Sequence, residues 1–440
     1  MEFRKRKSLV WTLLLAITVL IALAADSSSN SVQSRNNAYV VLAWNNLGMH
    51  CYNPDFKDLA VLPPFNVLWA QVYKVGDPPQ AVTSGITLQY QIVDNTYSAG
   101  KTNFWTYVKQ LFGVQPPVNI GLPTQSDPSG KGLSGTMDLV NDPDLGPHFE
   151  AAGIPLTEYL DGDRRLKRPY PYQLAKITVR DASGNVVART FAVAPVSSEL
   201  QCMNCHADDG DATGRLPAEI KPTGNVDTNI LVLHDWLNGK YNTPEALMNN
   251  RPVLCANCHA SNALGLPGTT GVKSLSAAMH NHHNPGNAPD IAPDTTAGCY
   301  NCHPGPKTQC LRDVMSQKFA LNCTTCHGNM VDVAASADSG REPWAREPRC
   351  DSVSCHGAGY ALDQPLYRNS RGHGGTYCAG CHDSPHAIAP SREYNDSIKF
   401  TLLQGHPGPL RKCTVCHLTQ PSQAFRHARG NTPLTPPWVQ

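Results

Sequence analysis

Seven times in its C-terminal half the chain sets two cysteines a few residues apart and places a histidine directly after the second. Six of these read C-x-x-C-H: Cys202/Cys205/His206, Cys255/Cys258/His259, Cys299/Cys302/His303, Cys323/Cys326/His327, Cys378/Cys381/His382 and Cys413/Cys416/His417. The seventh, Cys350/Cys355/His356, has four residues between its thiols. Of 16 cysteines only Cys51 and Cys310 stand outside these motifs. A chain of this composition would show far fewer than one such motif by accident.

The spacing suits covalent attachment of haem c. Two thiols must reach two neighbouring vinyl groups of one porphyrin, and the adjoining imidazole then swings under the ring to bind iron. The longer spacer at Cys350 loops out two residues and keeps Cys355 and His356 adjacent. Tetrahedral zinc gives no reason for a histidine after every second cysteine. Disulfides, expected in an exported protein, leave the seven histidines unexplained. The expected cofactors are seven haems c, with His206, His259, His303, His327, His356, His382 and His417 as proximal iron ligands.

Seven flat apolar cofactors would change what fills the interior. Gly and Pro supply 34 and 36 of the 440 residues, and aromatics only 7%, so long helices have little room. Over residues 37–196 no motif occurs, and short β-branched or aromatic runs such as Tyr39–Trp44, Asn66–Tyr73 and Ile86–Val93 read as strands. Ala175–Arg180 and Val186–Ala192 flank Asp181-Ala-Ser-Gly184, a hairpin signal. The expected fold is a small all-β haem-free domain over 37–196, for which a sandwich is one fitting arrangement. A heptahaem cytochrome c domain over 197–440 follows, with short helices, long loops and little regular sheet.

The N-terminus reads as an export signal. Arg4-Lys5-Arg6-Lys7 precede an uncharged apolar run from Leu9 to Ala25, and Ala22-Leu23-Ala24 suits cleavage. An uncleaved anchor is the rival, because 17 apolar residues are borderline for spanning a bilayer. Residues 1–24 are assigned to the signal and 25–36 to a linker, with a periplasmic or outer-surface destination. Without residues 1–24 the chain has 32 Lys and Arg against 34 Asp and Glu, a balance that gives no reason to expect a nucleic-acid partner.

Haems used only for electron transfer normally fill both axial positions, and ten histidines lie outside the motifs. His234 lies in an apolar helical run before the Cys255 motif. His280 and His283 are spaced i,i+3, which puts two imidazoles on one side of a helix. His373 and His386 flank the Cys378 motif. His50, His406 and His427 complete the distal candidates, ahead of His148 and His282. Cys51 and Cys310 form a candidate disulfide, with free or separately buried thiols as the alternative.

Residues 197–440 resemble the large periplasmic and outer-surface multihaem cytochromes of anaerobic, metal-respiring bacteria. The motifs carry the resemblance, with Arg251-Pro-Val-Leu-Cys-Ala-Asn-Cys-His259, Pro304-Gly-Pro-Lys-Thr-Gln-Cys310 and Ser384-Pro-His-Ala-Ile388 beside them. Trp44-Asn-Asn-Leu-Gly-Met-His-Cys51 looks like a signature of the N-terminal part. The resemblance implies bis-His haems and respiratory electron transfer to or from metals, other cytochromes or surfaces. The single C-x4-C-H and the haem-free N-terminal region depart from the simplest pattern.

The function expected is electron transfer through seven haems in anaerobic respiration or extracellular electron transfer. The partners expected are other redox proteins or cytochromes, metal oxides or a membrane-associated complex, with a homo-oligomer or filament as a further option. The alternative is an oxidoreductase with one five-coordinate haem that reduces a small oxyanion or sulfur compound. Many such reductases replace the motif histidine by lysine at that haem, whereas every motif here keeps histidine, so no catalytic residue is assigned.

Overall fold

The structure is a computed structural model and describes residues 38–284, 286, 288, 291–292, 294–340, 349–352, 354–357, 360, 364–422 and 427. The signal segment at 1–24 and the linker at 25–36 lie outside them. Among the described residues no helix is long and apolar enough to cross a membrane. The described residues from Tyr39 onward cluster as one compact unit.

The strands are β1 (Tyr39–Asn45), β2 (His50–Cys51), β3 (Leu59–Ala60), β4 (Val67–Lys74), β5 (Gln80–Ala81), β6 (Ile86–Ile92), β7 (Ser134–Asp142), β8 (Gly146–Ala152), β9 (Tyr172–Asp181), β10 (Val186–Ser197) and β11 (Val253–Leu254). The helices are α1 (Phe104–Phe112), α2 (Met203–His206), α3 (Val226–Leu237), α4 (Leu275–His282), α5 (Thr296–Cys299), α6 (Val314–Phe319), α7 (Cys323–His327), α8 (Met330–Asp338), α9 (Cys378–His382) and α10 (Ile398–Gln404).

Nine strands form one curled mixed sheet in the order β1-β4-β8-β7-β6-β9-β10-β2, with β5 on the edge of β4. All its pairings are antiparallel except β10 with β2, where Ser197 lies opposite Cys51. The sheet curls into a half-barrel that brings β1 close to β10. In β1, Val41 and Ala43 enter the inner core with Leu68, Leu88, Ile177 and Val196. The alternate residues Val40, Leu42 and Trp44 pack outward on Tyr377, Ala379 and Val415.

This overturns the expected fold class. In place of a small all-β domain followed by a region with little sheet, one large nine-stranded sheet organises the chain, and the C-terminal half is built onto its outer face. The physical reason is visible in β1 and β4, buried along almost their whole length. A strand covered on both faces reads as a continuous apolar run rather than as alternation. The polar joints agree: Tyr377 N donates to Gln71 Oε1 at 3.0 Å, Lys399 Nζ to Ala43 O at 3.0 Å and Gly76 N to Cys416 O at 3.2 Å. The short strand β11 just before Cys255 pairs in parallel with β3, and Arg251 bonds Asp58 at 2.7 Å beside it.

One glycine fixes a close approach between the two halves. Gly48 has φ +96°, and a Cβ there would lie 1.9 Å from the carbonyl oxygen of Pro385. Gly48→Ala is therefore expected to destabilise the protein by roughly 2 kcal/mol or more. Denaturant unfolding measures it, and a change under about 0.5 kcal/mol would contradict this packing.

Candidate functional site

The motifs sit in short turns of helix set by local caps. Asn322 accepts from Thr325 N while Thr325 Oγ1 accepts from Asn322 N, a capping box that starts α7 at Cys323. Thr295 caps α5 before Cys299, Asn225 caps α3 and Ser274 caps α4. Cys202 precedes α2 directly, and α9 runs from Cys378 to His382. Cys255–Asn257 and Cys413–Val415 are single 3-10 turns.

The two thiols of a motif, equivalent in the sequence, are not always equally placed. Cys258, Cys326 and Cys355 are exposed, each the second cysteine of its motif, whereas the first cysteines Cys255, Cys323 and Cys350 are half-buried. At Cys258 the cause is the turn itself. Leu254 and Ala256 face an apolar cluster with Phe56 and Phe104, which leaves Asn257 and Cys258 on the outside. The backbone there is held, since Cys258 N donates to Cys255 O at 3.2 Å and Thr269 N donates to Cys258 O at 2.8 Å.

Six motif histidines each face a histidine from elsewhere in the chain. The ring centres are 6.2 Å apart for His206 and His283, 6.4 Å for His259 and His234 and 6.3 Å for His303 and His280. They are 6.2 Å apart for His327 and His386, 5.8 Å for His382 and His427 and 6.0 Å for His417 and His373. With metal–nitrogen bonds of ~2.0 Å, two imidazoles on opposite sides of one iron have ring centres about 6.3 Å apart. All six separate pairs fall within half an ångström of that span.

The ring nitrogens are arranged to match. His259 Nδ1 bonds Lys273 O at 2.8 Å, His280 Nδ1 bonds Ser276 O at 2.8 Å and His283 Nδ1 bonds Met279 O at 2.7 Å. A carbonyl only accepts, so each Nδ1 carries the proton and each Nε2 keeps its lone pair. His417 Nδ1 lies 3.2 Å from an Asp77 oxygen. Such outer bonds fix tautomer and ring orientation in metal-ligating histidines. His206 and His234 differ, each with a buried Nδ1 that has no hydrogen-bond partner among the described residues. Burial first, and the facing imidazole second, hold His206 and His303 down to about 4. The same two causes hold His382 and His386 at about 4. A neutral imidazole is the ligating form.

The remaining candidates are placed differently. His356 of the C-x4-C-H site has the Tyr360 ring at 5.5 Å, and Tyr360 in turn lies 4.8 Å from His427. His50 is buried beside Phe65 at 6.4 Å, with no hydrogen-bond partner for Nε2 among the described residues; burial and the charge of Arg368 hold it at about 3. His406 is exposed and bonds Pro407 O at 2.8 Å. His148 belongs to an aromatic cluster, 4.1 Å from the Trp69 ring. Cys51 and Cys310 are both free thiols here, and burial followed by the nearness of Cys310 pushes Cys51 up. Cys310 Sγ lies 3.5 Å from His386 Nδ1.

Several residues that hold these sites gave no signal in the sequence. Arg312 and Asp396 form a bidentate pair at 2.7 and 3.1 Å, each 1% exposed. Arg312 Nη1 also donates to Gly48 O at 2.9 Å, and its backbone N–H donates to His386 O at 2.9 Å. Lys399 reaches Asp383 at 3.2 Å beneath α9. Asn229, within an apolar run, donates to His206 O at 2.9 Å. Their partners are distant in sequence, and no local pattern marks them.

Among the described residues no three His, Cys, Asp or Glu side chains converge on a point that could hold a metal ion. Opposed pairs are what is present, and a porphyrin-held iron needs only two protein ligands. In comparison with known proteins, the chain matches no protein-family model and no curated protein.

Proposed function

We propose that the chain is an exported heptahaem c-type cytochrome that conducts electrons between redox partners. The observation that carries this reading is the set of six histidine pairs, each joining a C-x-x-C-H imidazole to one from another segment at the span of a six-coordinate iron. Fourteen motif cysteines would hold the porphyrins through thioethers. Haem would supply reversible one-electron redox chemistry; the chain would supply position and axial ligands. Filled axial positions favour electron transfer over catalysis, since small-molecule reduction needs an open iron. Other cytochromes, metal oxides or a membrane-associated complex are the partners this reading admits.

Low-temperature EPR and CO titration of the purified holoprotein test it. The six paired sites are expected to be low-spin and inert to CO. A stoichiometric high-spin haem that binds CO would contradict the conduit and favour a reductase.

A further inference from the structure

The geometry points to a connected array of the seven attachment sites in which the Cys202 site lies between the Cys255 and Cys299 sites, and the Cys255 and Cys413 sites are ends. This rests on the haem reading and goes beyond it, because the order in space departs from the order in sequence.

The first link is α3. It carries His234, which faces His259, and also Asn229, which is 1% exposed and bonds His206 O and Asp208 Oδ1 at 2.9 and 2.8 Å. One helix thus touches the Cys255 and Cys202 sites together. The second link is α4 with its C-cap, where His283 faces His206 and His280 faces His303. The residues before the second cysteine of these two motifs meet directly, Asn204 Nδ2 donating to Asn301 Oδ1 at 2.9 Å. In keeping with this, burial and the nearness of Cys202 and Cys205 push the Cys302 thiol up to about 11.

From Cys299 the array continues to Cys323. The short helices that carry them, α5 and α7, pack on each other. His386, which faces His327 at 6.2 Å, lies just past the Cys378 motif, where Ala389 N donates to His382 O at 2.8 Å, and this joins the Cys323 and Cys378 sites. The rings of His356, Tyr360, His427 and His382 then stand in a row at 5.5, 4.8 and 5.8 Å, joining the Cys350 and Cys378 sites. Leu410 N donates to Cys381 O at 2.9 Å, and Cys378 and Cys416 pack against one apolar cluster, joining Cys378 to Cys413.

Beyond each end lies the sheet. Past Cys255 come the β11–β3 pairing and the Arg251–Asp58 bridge. Past Cys413 comes the turn after β4, with Gly76 N on Cys416 O and Asp77 on His417.

Iron positions in the holoprotein, located by anomalous diffraction at the iron edge, test the order. The iron nearest that of the Cys255 site is expected to be that of the Cys202 site, which also neighbours the Cys299 site. An iron of the Cys255 site nearest to Cys299, or an interior Cys413 site, would overturn it. Cys202→Ala/Cys205→Ala should lose one iron and uncouple the Cys255 iron magnetically in EPR, and retained coupling would also overturn it. A protein without iron would instead sink the haem reading itself, whereas seven irons in another order would sink only this inference.

Discussion

Replacing Asp396 with alanine is expected to destabilise the protein by about 3–5 kcal/mol, the range seen when one partner of a buried ion pair is removed. The guanidinium of Arg312 would keep its bonds to Gly48 O and Cys310 O and its place over the Tyr172 ring at 4.9 Å. It would lose its only bonded carboxylate among the described residues while 1% exposed. The cost comes from an uncompensated charge rather than from the net strength of the pair. Arg312→Met/Asp396→Leu should therefore be less destabilising than Asp396→Ala alone. Thermal or denaturant unfolding measures both. A single-variant loss below about 1 kcal/mol, the value for an exposed pair, would show that this contact is not buried in solution.

The second large effect concerns α4. His280→Ala should turn one haem in seven high-spin and CO-binding, His283→Ala another, and the double variant two. The two imidazoles leave the same helix at i and i+3 yet face different motif histidines, at 6.3 and 6.2 Å, so their losses should add. His282, exposed between them, is the control, and His282→Ala should leave the spectra unchanged. EPR signals and CO difference spectra count the open sites. If His280→Ala and His283→Ala both leave every haem low-spin, the paired geometry does not describe the iron ligands.

The two halves of this account were legible in the sequence to different degrees. A covalent haem site packs its thiols and first imidazole into five residues, so the motifs stand out without any fold. How deeply each thiol sits is not local, and nothing in the Cys255 motif told its half-buried first cysteine from the exposed Cys258. The second imidazole comes from elsewhere: His386, which faces His327, lies just past the Cys378 motif and gives no hint of serving the Cys323 motif. Candidates such as His234 and His280 could be named from helical runs, but their partners required the tertiary structure. In the sheet, β6 alternates between exposed and buried residues, and β9 and β10 flank a turn with Gly184 at φ +83°. Those strands and that hairpin are local. The closure of β10 on β2, far apart in sequence, and the cover over the outer face of β1 and β4 are not local, and they turn an expected separate domain into the wall of a larger body.

The most direct measurement is intact mass with a pyridine haemochrome count on protein purified from cells able to attach haem c. The account predicts a mass raised by seven haems and seven haemochromes per chain, the seventh contributed by Cys350 and Cys355. A colourless polypeptide at its unmodified mass would contradict it.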